Sequence, residues 1–95
     1  MKRLRQTRQF KKDLKRYANR PGKIQKLSEV LTLLKRDIRL PDKYKAHLLT
    51  RDYTGCMECH IEGDFLLIWI DETSDTIGLL RLGSHSDLFG KGPKR

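Results

Sequence analysis

Three histidines, His47, His60 and His85, are the side chains of this sequence best suited to proton transfer near neutral pH. Each stands beside a predicted break in regular structure: His47 in a loop after a helix, His60 at a hairpin, and His85 just past a strand. Asp64 follows His60 by four residues across the turn of the hairpin. We therefore expect these two side chains to be near neighbours, in a cluster that could act as acid and base.

Two further residues of the C-terminal half fit chemistry on a nucleic acid. Phe89 follows His85 by four residues and offers a face on which a base could stack, an interaction of about 1–3 kcal/mol. Arg81 supplies a cation close to the same histidine. Together with the histidines and Asp64, these residues are suited to metal-free RNA cleavage, in which a base takes the 2′-hydroxyl proton, cations stabilise the phosphorane and an acid protonates the leaving 5′-oxygen.

The segment Cys56-Met-Glu-Cys-His60 has the spacing of a haem c attachment site, but its predicted local structure argues against one. In a strand, side chains alternate between the two faces, so Cys56, Glu58 and His60 point one way and Cys59 the other. The two cysteines therefore cannot hold one haem or one metal, and a zinc site would need a second pair of ligands. We expect no cofactor and no metal, with Cys59 in the core and Glu58 beside His60.

Neither a nucleotide cradle nor a covalent nucleophile is predicted. The segment 83–91 resembles a phosphate loop, yet its glycines are too far apart and no serine or threonine follows Lys91. The chain has no G-x-S-x-G elbow, and neither cysteine has the electropositive helix terminus that activates a thiol.

Charge divides the chain into two halves. Residues 1–50 carry a net charge of +12 and residues 51–95 a net charge of −3, within a total of +9. Such a one-sided positive potential attracts polyanions. At 95 residues the chain is long enough for one domain, predicted over 1–90, with a loose basic tail at 91–95. Without a membrane-spanning run or a signal-peptide core, we expect a cytoplasmic protein.

The periodicity predicts an α+β fold, with two N-terminal helices packed on a curved antiparallel sheet. Thr7 is the expected N-cap of a helix with Phe10, Leu14 and Tyr17 on one stripe. Pro21-Gly22 should break it, and a second helix is predicted over 23–37, burying Ile24, Leu27, Leu31 and Leu34. Strands follow at 56–61, 65–70 and 76–82, with a short edge strand at 2–6, which gives the order β-α-α-β-β-β.

The sequence resembles the YafQ branch of the RelE/ParE superfamily, bacterial toxins of type II toxin–antitoxin pairs. The likeness covers nearly the whole chain and rests on the segments FKKDLKR, KYKAHLL, GCMECHIEGDFLLIW and LLRLGSHSDLFG. It implies a RelE-like fold and cofactor-free endoribonuclease activity, acting as an mRNA interferase on messenger RNA in the ribosomal A site. The implied partners are the ribosome, mRNA and an acidic antitoxin of the RelB or DinJ kind. Operator DNA would be bound only through the antitoxin complex.

The resemblance also implies residue roles. The family's functional positions fall on His47, His60, Asp64, His85 and Phe89, with Arg81 as a phosphate contact. This chain has Met57 where family members commonly have arginine, so substrate binding would depend on Arg81, Arg51 or the helix lysines, with Glu58 near the same site. We expect ribosome docking by basic residues of the two helices, namely Lys11, Lys12, Lys15, Arg16, Arg20, Lys23 and Lys26.

Two rival functions stay open at the level of sequence. A non-catalytic basic module bound to RNA or to the ribosome would suit the positive half of the chain alone. A ParE-like toxin directed at gyrase would share the fold but would have no use for a histidine and aspartate cluster. The coincidence of His47, His60, Asp64 and His85 favours the ribonuclease, and leaves open which residue is the base and which the acid.

Overall fold

A computed structural model describes residues 1–90 of the chain, so the basic tail predicted at 91–95 lies outside the described residues. In chain order the elements are β1 (Arg3–Gln6), α1 (Arg8–Lys15), α2 (Pro21–Lys35), a 3₁₀ turn (Asp42–Tyr44), β2 (His47–Leu48), β3 (Met57–Glu62), β4 (Phe65–Thr73), β5 (Thr76–Gly83) and α3 (His85–Phe89). No helix within residues 1–90 has the length and apolar character needed to cross a bilayer.

The α+β class and the packing of α1 and α2 on the sheet are confirmed, but the sheet is mixed rather than wholly antiparallel. Its strand order is β1-β5-β4-β3-β2. The meander β3-β4-β5 is antiparallel as predicted, whereas β1 pairs with β5 in parallel. The physical reason is the path of the chain after β1. The helices α1 and α2 carry it back across one face of the sheet, so β5, the strand that later lies beside β1, runs in the same direction as β1.

The two helices begin close to the positions that the sequence predicts. Thr7 is the N-cap of α1, and its hydroxyl accepts from the amide of Phe10 and donates to the carbonyl of Leu79 in β5. Pro21, predicted to break the helix, is instead the first residue of α2, where a missing N–H costs nothing.

The buried stripe of α2 differs by one position from the predicted one. Leu27, Val30 and Leu34 are buried, while Ile24 and Leu31 are only half-buried. The stripe follows the spacing i, i+3, i+7, which is as compatible with the 3.6-residue period as the predicted one. The sequence therefore placed the helix correctly but not the direction of its buried face.

Strand β4 is buried on both faces, as its continuous apolar run predicts. Phe65, Leu67 and Trp69 face the helices and belong to the main core with Phe10. The opposite face carries a second apolar cluster, which consists of Cys56, Leu66, Ile68 and Leu88. This second cluster lies under the histidines and forms the floor of the site.

The short helix α3 was not predicted. Its N-cap Ser84 forms a capping box with Asp87, in which each side chain accepts from the other residue's backbone amide. Gly83 has a φ of 155°, and a Cβ there would lie 3.2 Å from a carboxylate oxygen of Asp87. The Ser-x-x-Asp spacing after a glycine was the sequence signal for this helix. Helix α3 packs on the second cluster through Leu88.

Candidate active site

Two neighbouring rows of the sheet position the residues of the site. In the first row, His47 of β2 pairs with Glu58 of β3, which pairs with Ile68 and then Arg81 across β4 and β5. In the second, His60 pairs with Leu66 of β4. His47 thus lies on a two-residue strand and not in a loop. The sheet register brings together side chains that are far apart in sequence.

Five aromatic rings form a continuous line over this surface. The ring centroids are 6.4 Å apart for His47 and His60, 6.0 Å for His60 and His85, and 5.6 Å for His85 and Phe89. Tyr53 meets Phe89 edge to face at 5.9 Å. The three predicted histidines and Phe89 therefore lie together, and Tyr53 is an addition that sequence reasoning missed.

Asp64 holds His85 rather than His60. Its Oδ1 accepts from the backbone amide of His85 at 2.9 Å and lies 3.1 Å from the ring Nδ1 of the same residue. These two bonds, the backbone one first, keep the pKa of the Asp64 carboxyl below its usual range. The sequence predicted His60 as the neighbour of Asp64, but the direct hydrogen-bond partner is His85, because α3 begins over the turn of the hairpin.

Glu58 lies between the other two histidines. Its Oε1 is 3.2 Å from Nε2 of His47 and 3.8 Å from Nε2 of His60, and its side chain is only 3% exposed. Within the described part of the chain, its Oε2 is the one buried side-chain oxygen or nitrogen without a hydrogen-bond partner. A buried carboxylate oxygen that accepts no hydrogen bond lowers the stability of the fold, so its presence points to a functional role for Glu58.

Backbone carbonyls constrain the protons of these two imidazoles. Nδ1 of His47 is 2.8 Å from the carbonyl of Lys45, and Nδ1 of His60 is 3.4 Å from the carbonyl of Gly63. A carbonyl only accepts, so each Nδ1 carries the hydrogen. A bond between Nε2 and Glu58 then needs one more proton, on the imidazole or on the carboxyl. Only Nε2 of His47, at 3.2 Å, is within hydrogen-bond distance of Glu58, whereas Nε2 of His60 lies at 3.8 Å.

An open groove of about 440 Å³ runs beside these side chains. It is lined by His47, Glu58, His85 and Phe89 together with the segment 48–52, which includes Arg51. Arg51 is exposed at this position. The groove leaves room for a flexible strand next to the ring line.

Arg81 is only 18% exposed and is held by other side chains. Its Nε donates to Oδ2 of Asp13 at 2.8 Å, and its Nη1 donates to the hydroxyl of Tyr53 at 2.9 Å. Sequence reasoning missed both partners. A single acid inside a basic helix, three residues after the core residue Phe10, was the signal for Asp13.

The cysteines and Met57 lie where the alternation of β3 predicts. Cys59 is fully buried in the main core, and burial, assisted by the charge of Glu58, raises the pKa of its thiol to about 12. Cys56 belongs to the second cluster, and both thiols are free. Met57 packs against the main core. Residues 1–90 contain no group of three or more His, Cys, Asp or Glu side chains arranged to hold a metal ion.

The basic residues predicted to dock on the ribosome divide into two sets. Three are paired with acids: Arg16 with Asp87 at 3.3 Å, and Lys23 and Lys26 with Glu62 at 3.2 and 3.9 Å. The other four form no salt bridge within residues 1–90 and are exposed, namely Lys11, Lys12, Lys15 and Arg20. The pairing of Arg16 also ties α1 to α3.

Comparisons with known proteins assign the chain to a family. The family model described as the bacterial toxin of type II toxin-antitoxin system, YafQ, matches residues 2–90. The mRNA interferase toxin YafQ of Escherichia coli (strain B / BL21-DE3) is 36% identical over 83 residues, which cover 86% of this chain and 89% of that protein.

Solved structures show the same fold. The toxin in the E. coli DinJ–YafQ complex superposes with a TM-score of 0.82 at 33% identity, covering 95% of this chain and 100% of that one. A metal-bound toxin from Helicobacter pylori gives 0.83 at 34% identity, covering 94% and 100%. Since the family model spans almost the entire described chain, the conclusion is direct: the chain belongs to the YafQ family of bacterial toxins of type II toxin–antitoxin systems.

Proposed function

We propose that this toxin is an mRNA interferase, a metal-independent endoribonuclease that cuts messenger RNA in the ribosomal A site. The observation that carries the proposal is the line of His47, His60 and His85, held by one exposed and one buried carboxylate beside an open groove. The activity printed in the name of the E. coli relative supports it. A gyrase-directed toxin or a passive RNA-binding module would not need this cluster.

His85 is suited to be the general base. Asp64 accepts the hydrogen of its Nδ1, which leaves the lone pair of Nε2 directed away from the carboxylate. In the proposed step, Nε2 takes the proton of the 2′-hydroxyl, and the 2′-oxygen attacks the adjacent phosphorus. Asp64 stays ionised throughout and stabilises the imidazolium that forms.

The group of His47, Glu58 and His60 is suited to be the general acid. In the proposed step, this group gives the proton between His47 and Glu58, which lie 3.2 Å apart, to the leaving 5′-oxygen as the bond from phosphorus to that oxygen breaks. The products are then a 2′,3′-cyclic phosphate and a 5′-hydroxyl.

Binding of the RNA falls to Arg81 and to two residues that line the groove. Two N–H groups of Arg81 have no bond within the described residues and can contact the phosphate. Phe89 can stack on a base next to His85, and Arg51 can contact a neighbouring phosphate at the rim.

The partners follow from the family and from charge. The relative solved in complex with DinJ supports an antitoxin as the partner of this toxin. On the proposal this antitoxin is acidic, and operator DNA would be reached only through the complex of the two. The seven basic residues of α1, α2 and the segment between them would dock on ribosomal RNA, with Lys11, Lys12, Lys15 and Arg20 as the cations not engaged by acids within residues 1–90.

The test is cleavage of an mRNA on purified ribosomes kept in Mg²⁺, which ribosomes need to stay assembled, by toxin that has first been stripped of bound metal with EDTA and then freed of the chelator. The nucleotide that is cut carries either a ribose or a deoxyribose. The proposal predicts cleavage of the ribose form by the stripped toxin, with a cyclic or 3′-phosphate and a 5′-hydroxyl as ends, and none of the deoxy form. A deoxyribose one nucleotide away is the control and should be cut. Loss of all cleavage by the stripped toxin, or cleavage of the deoxy form, would refute the proposal. The metal-bound H. pylori relative makes the result with stripped toxin informative.

A further inference from the structure

Asp13 is a buried carboxylate with every hydrogen bond it needs. It is 1% exposed and accepts from Nε and Nη2 of Arg81 at 2.8 and 3.3 Å, from the amide of Leu82 at 2.9 Å and from the side chain of Gln9 at 3.0 Å. Burial alone would raise the pKa of this carboxyl, but these bonds outweigh it and leave the pKa below its usual range.

A β-bulge turns Arg81 toward this partner and toward the site. The register of β4 and β5 shifts between Ile68 and Trp69, so that Leu80 is the extra residue just before Arg81. Bulges commonly re-aim a side chain next to an active site. Asp13 takes one edge of the guanidinium, which leaves one N–H on each of Nη1 and Nη2 after the bond to Tyr53.

Tyr53 connects Arg81 to the line of rings. Its hydroxyl accepts from Nη1 of Arg81 at 2.9 Å, and its ring meets Phe89 edge to face. The backbone φ of Tyr53 is +61°, in the left-handed region that residues other than glycine seldom adopt. Holding a tyrosine in this conformation costs free energy. The backbone conformation places the hydroxyl on Arg81 and the ring on Phe89 at once.

A merely stabilising role does not explain this arrangement. Well-packed apolar residues often stabilise a protein as much as a buried ion pair does, so the pair is a weak source of stability. What the pair secures is the orientation of a guanidinium that bonds to Tyr53, whose ring in turn meets Phe89. Planar, fixed donors are what phosphate recognition needs.

We propose that Asp13 and Tyr53 are positioning residues that hold Arg81 in the orientation in which it contacts the scissile phosphate. The inference rests on the proposed ribonuclease function and adds α1, an element outside the groove, to the parts that the reaction requires. Asp13 sets the edge of the guanidinium that faces the protein, and Tyr53 sets its rotation relative to Phe89.

The test uses Tyr53→Phe, which removes one hydroxyl and keeps the ring, in the parent and in an Arg81→Gln background. Single-turnover cleavage of ribosome-bound mRNA and affinity for the uncleavable deoxy form are measured for each. We expect Tyr53→Phe to lower the cleavage rate about tenfold, as loss of a bond to a charged group does, with affinity unchanged. In the Arg81→Gln background the same substitution should have no further effect.

Asp13→Asn is the second variant, with its folding checked by denaturant unfolding. It should lower the cleavage rate by up to about 10²-fold through misplacement of Arg81, again only while Arg81 is present. Glu72→Gln is the matched control, because it breaks the Arg5–Glu72 ion pair at the other end of β4 and should leave the rate unchanged.

Equal effects of Tyr53→Phe with and without Arg81, or no effect in either background, would overturn the inference, because a positioning residue cannot act without the group it positions. The result is separable from a failure of the proposed function. If the parent does not cut RNA, the proposed function fails. If the parent cuts RNA and the coupling to Arg81 is absent, only this inference fails.

Discussion

Asp64 and Glu58 serve the same cluster of histidines from opposite environments. Asp64 is exposed and ionised, and it bonds to the backbone and the ring of His85. Glu58 is buried, with one oxygen toward two imidazoles and one oxygen without a partner. A pair of carboxylates in such different surroundings allows one to stabilise a base while the other shares a proton, which is how one site can carry out both halves of an acid and base reaction.

The exposed carboxylate gives a pH prediction. Because the pKa of Asp64 lies below its usual value of about 3.9, the carboxylate stays ionised from about pH 5 to 8, and its contribution is lost only as the pH falls through that lowered pKa. We expect Asp64→Asn to lower the cleavage rate throughout this range without removing a limb of the pH profile.

Asp75→Asn is the matched control for this profile. Asp75 is also exposed, and its pKa is also lowered by side-chain hydrogen bonds, from Thr73 and Thr76, but it lies at the far hairpin. Its substitution should not change the rate. If Asp64→Asn removed a limb of the profile, Asp64 itself would titrate in this range and could not be a permanently ionised partner of His85.

At the scale of elements, the sequence predicted what depends on local periodicity. The alternation along β3 correctly separated Cys59 from His60, and the capping residue Thr7 correctly marked the start of α1. The parallel pairing of β1 with β5 was not predictable in this way, because the partner of an edge strand depends on the path that the helices take between β1 and the rest of the sheet. Helix α3, with five residues, is too short for periodicity to reveal.

The candidate site shows the same limit. The histidines and Phe89 were predicted from residue type and from the resemblance, and the structure places them in one line. Their hydrogen-bond partners were not predicted, because Asp64 meets His85, and Asp13 meets Arg81, only through tertiary packing across 21 and 68 positions of the chain. The roles of these residues in catalysis stay predictions.

At the scale of the whole molecule, charge and chemistry are separated. The half with a net charge of +12 forms the helices α1 and α2, and the half with −3 forms most of the sheet and the site. Phosphate contacts position a protein on RNA without reading its sequence. The helices are therefore suited to docking, and we expect the choice of the RNA that is cut to depend on the groove.

Charge reversal tests this separation. Replacing Lys11, Lys12 and Lys15 by Glu should weaken binding to ribosomes and lower the slope of log affinity against log salt by roughly one unit for each phosphate that is no longer bound. The codons that are cut should not change. Reversal of Lys35, Arg36 and Arg39 alters net charge equally and is the control. Equal affinity and slope in both variants and the parent would show that the basic face of α1 is only solvated.

The central claim, that the line of histidines is the catalytic centre, is tested most directly by single-turnover cleavage of ribosome-bound mRNA with His60→Ala and His85→Ala. Each variant should fold with the stability of the parent within about 0.5 kcal/mol, as partly exposed positions usually allow. We expect each to lower the cleavage rate by about 10² to 10⁴, the range for loss of a positioned acid or base, while ribosome affinity is kept. Folded variants that cut mRNA as fast as the parent would contradict the claim.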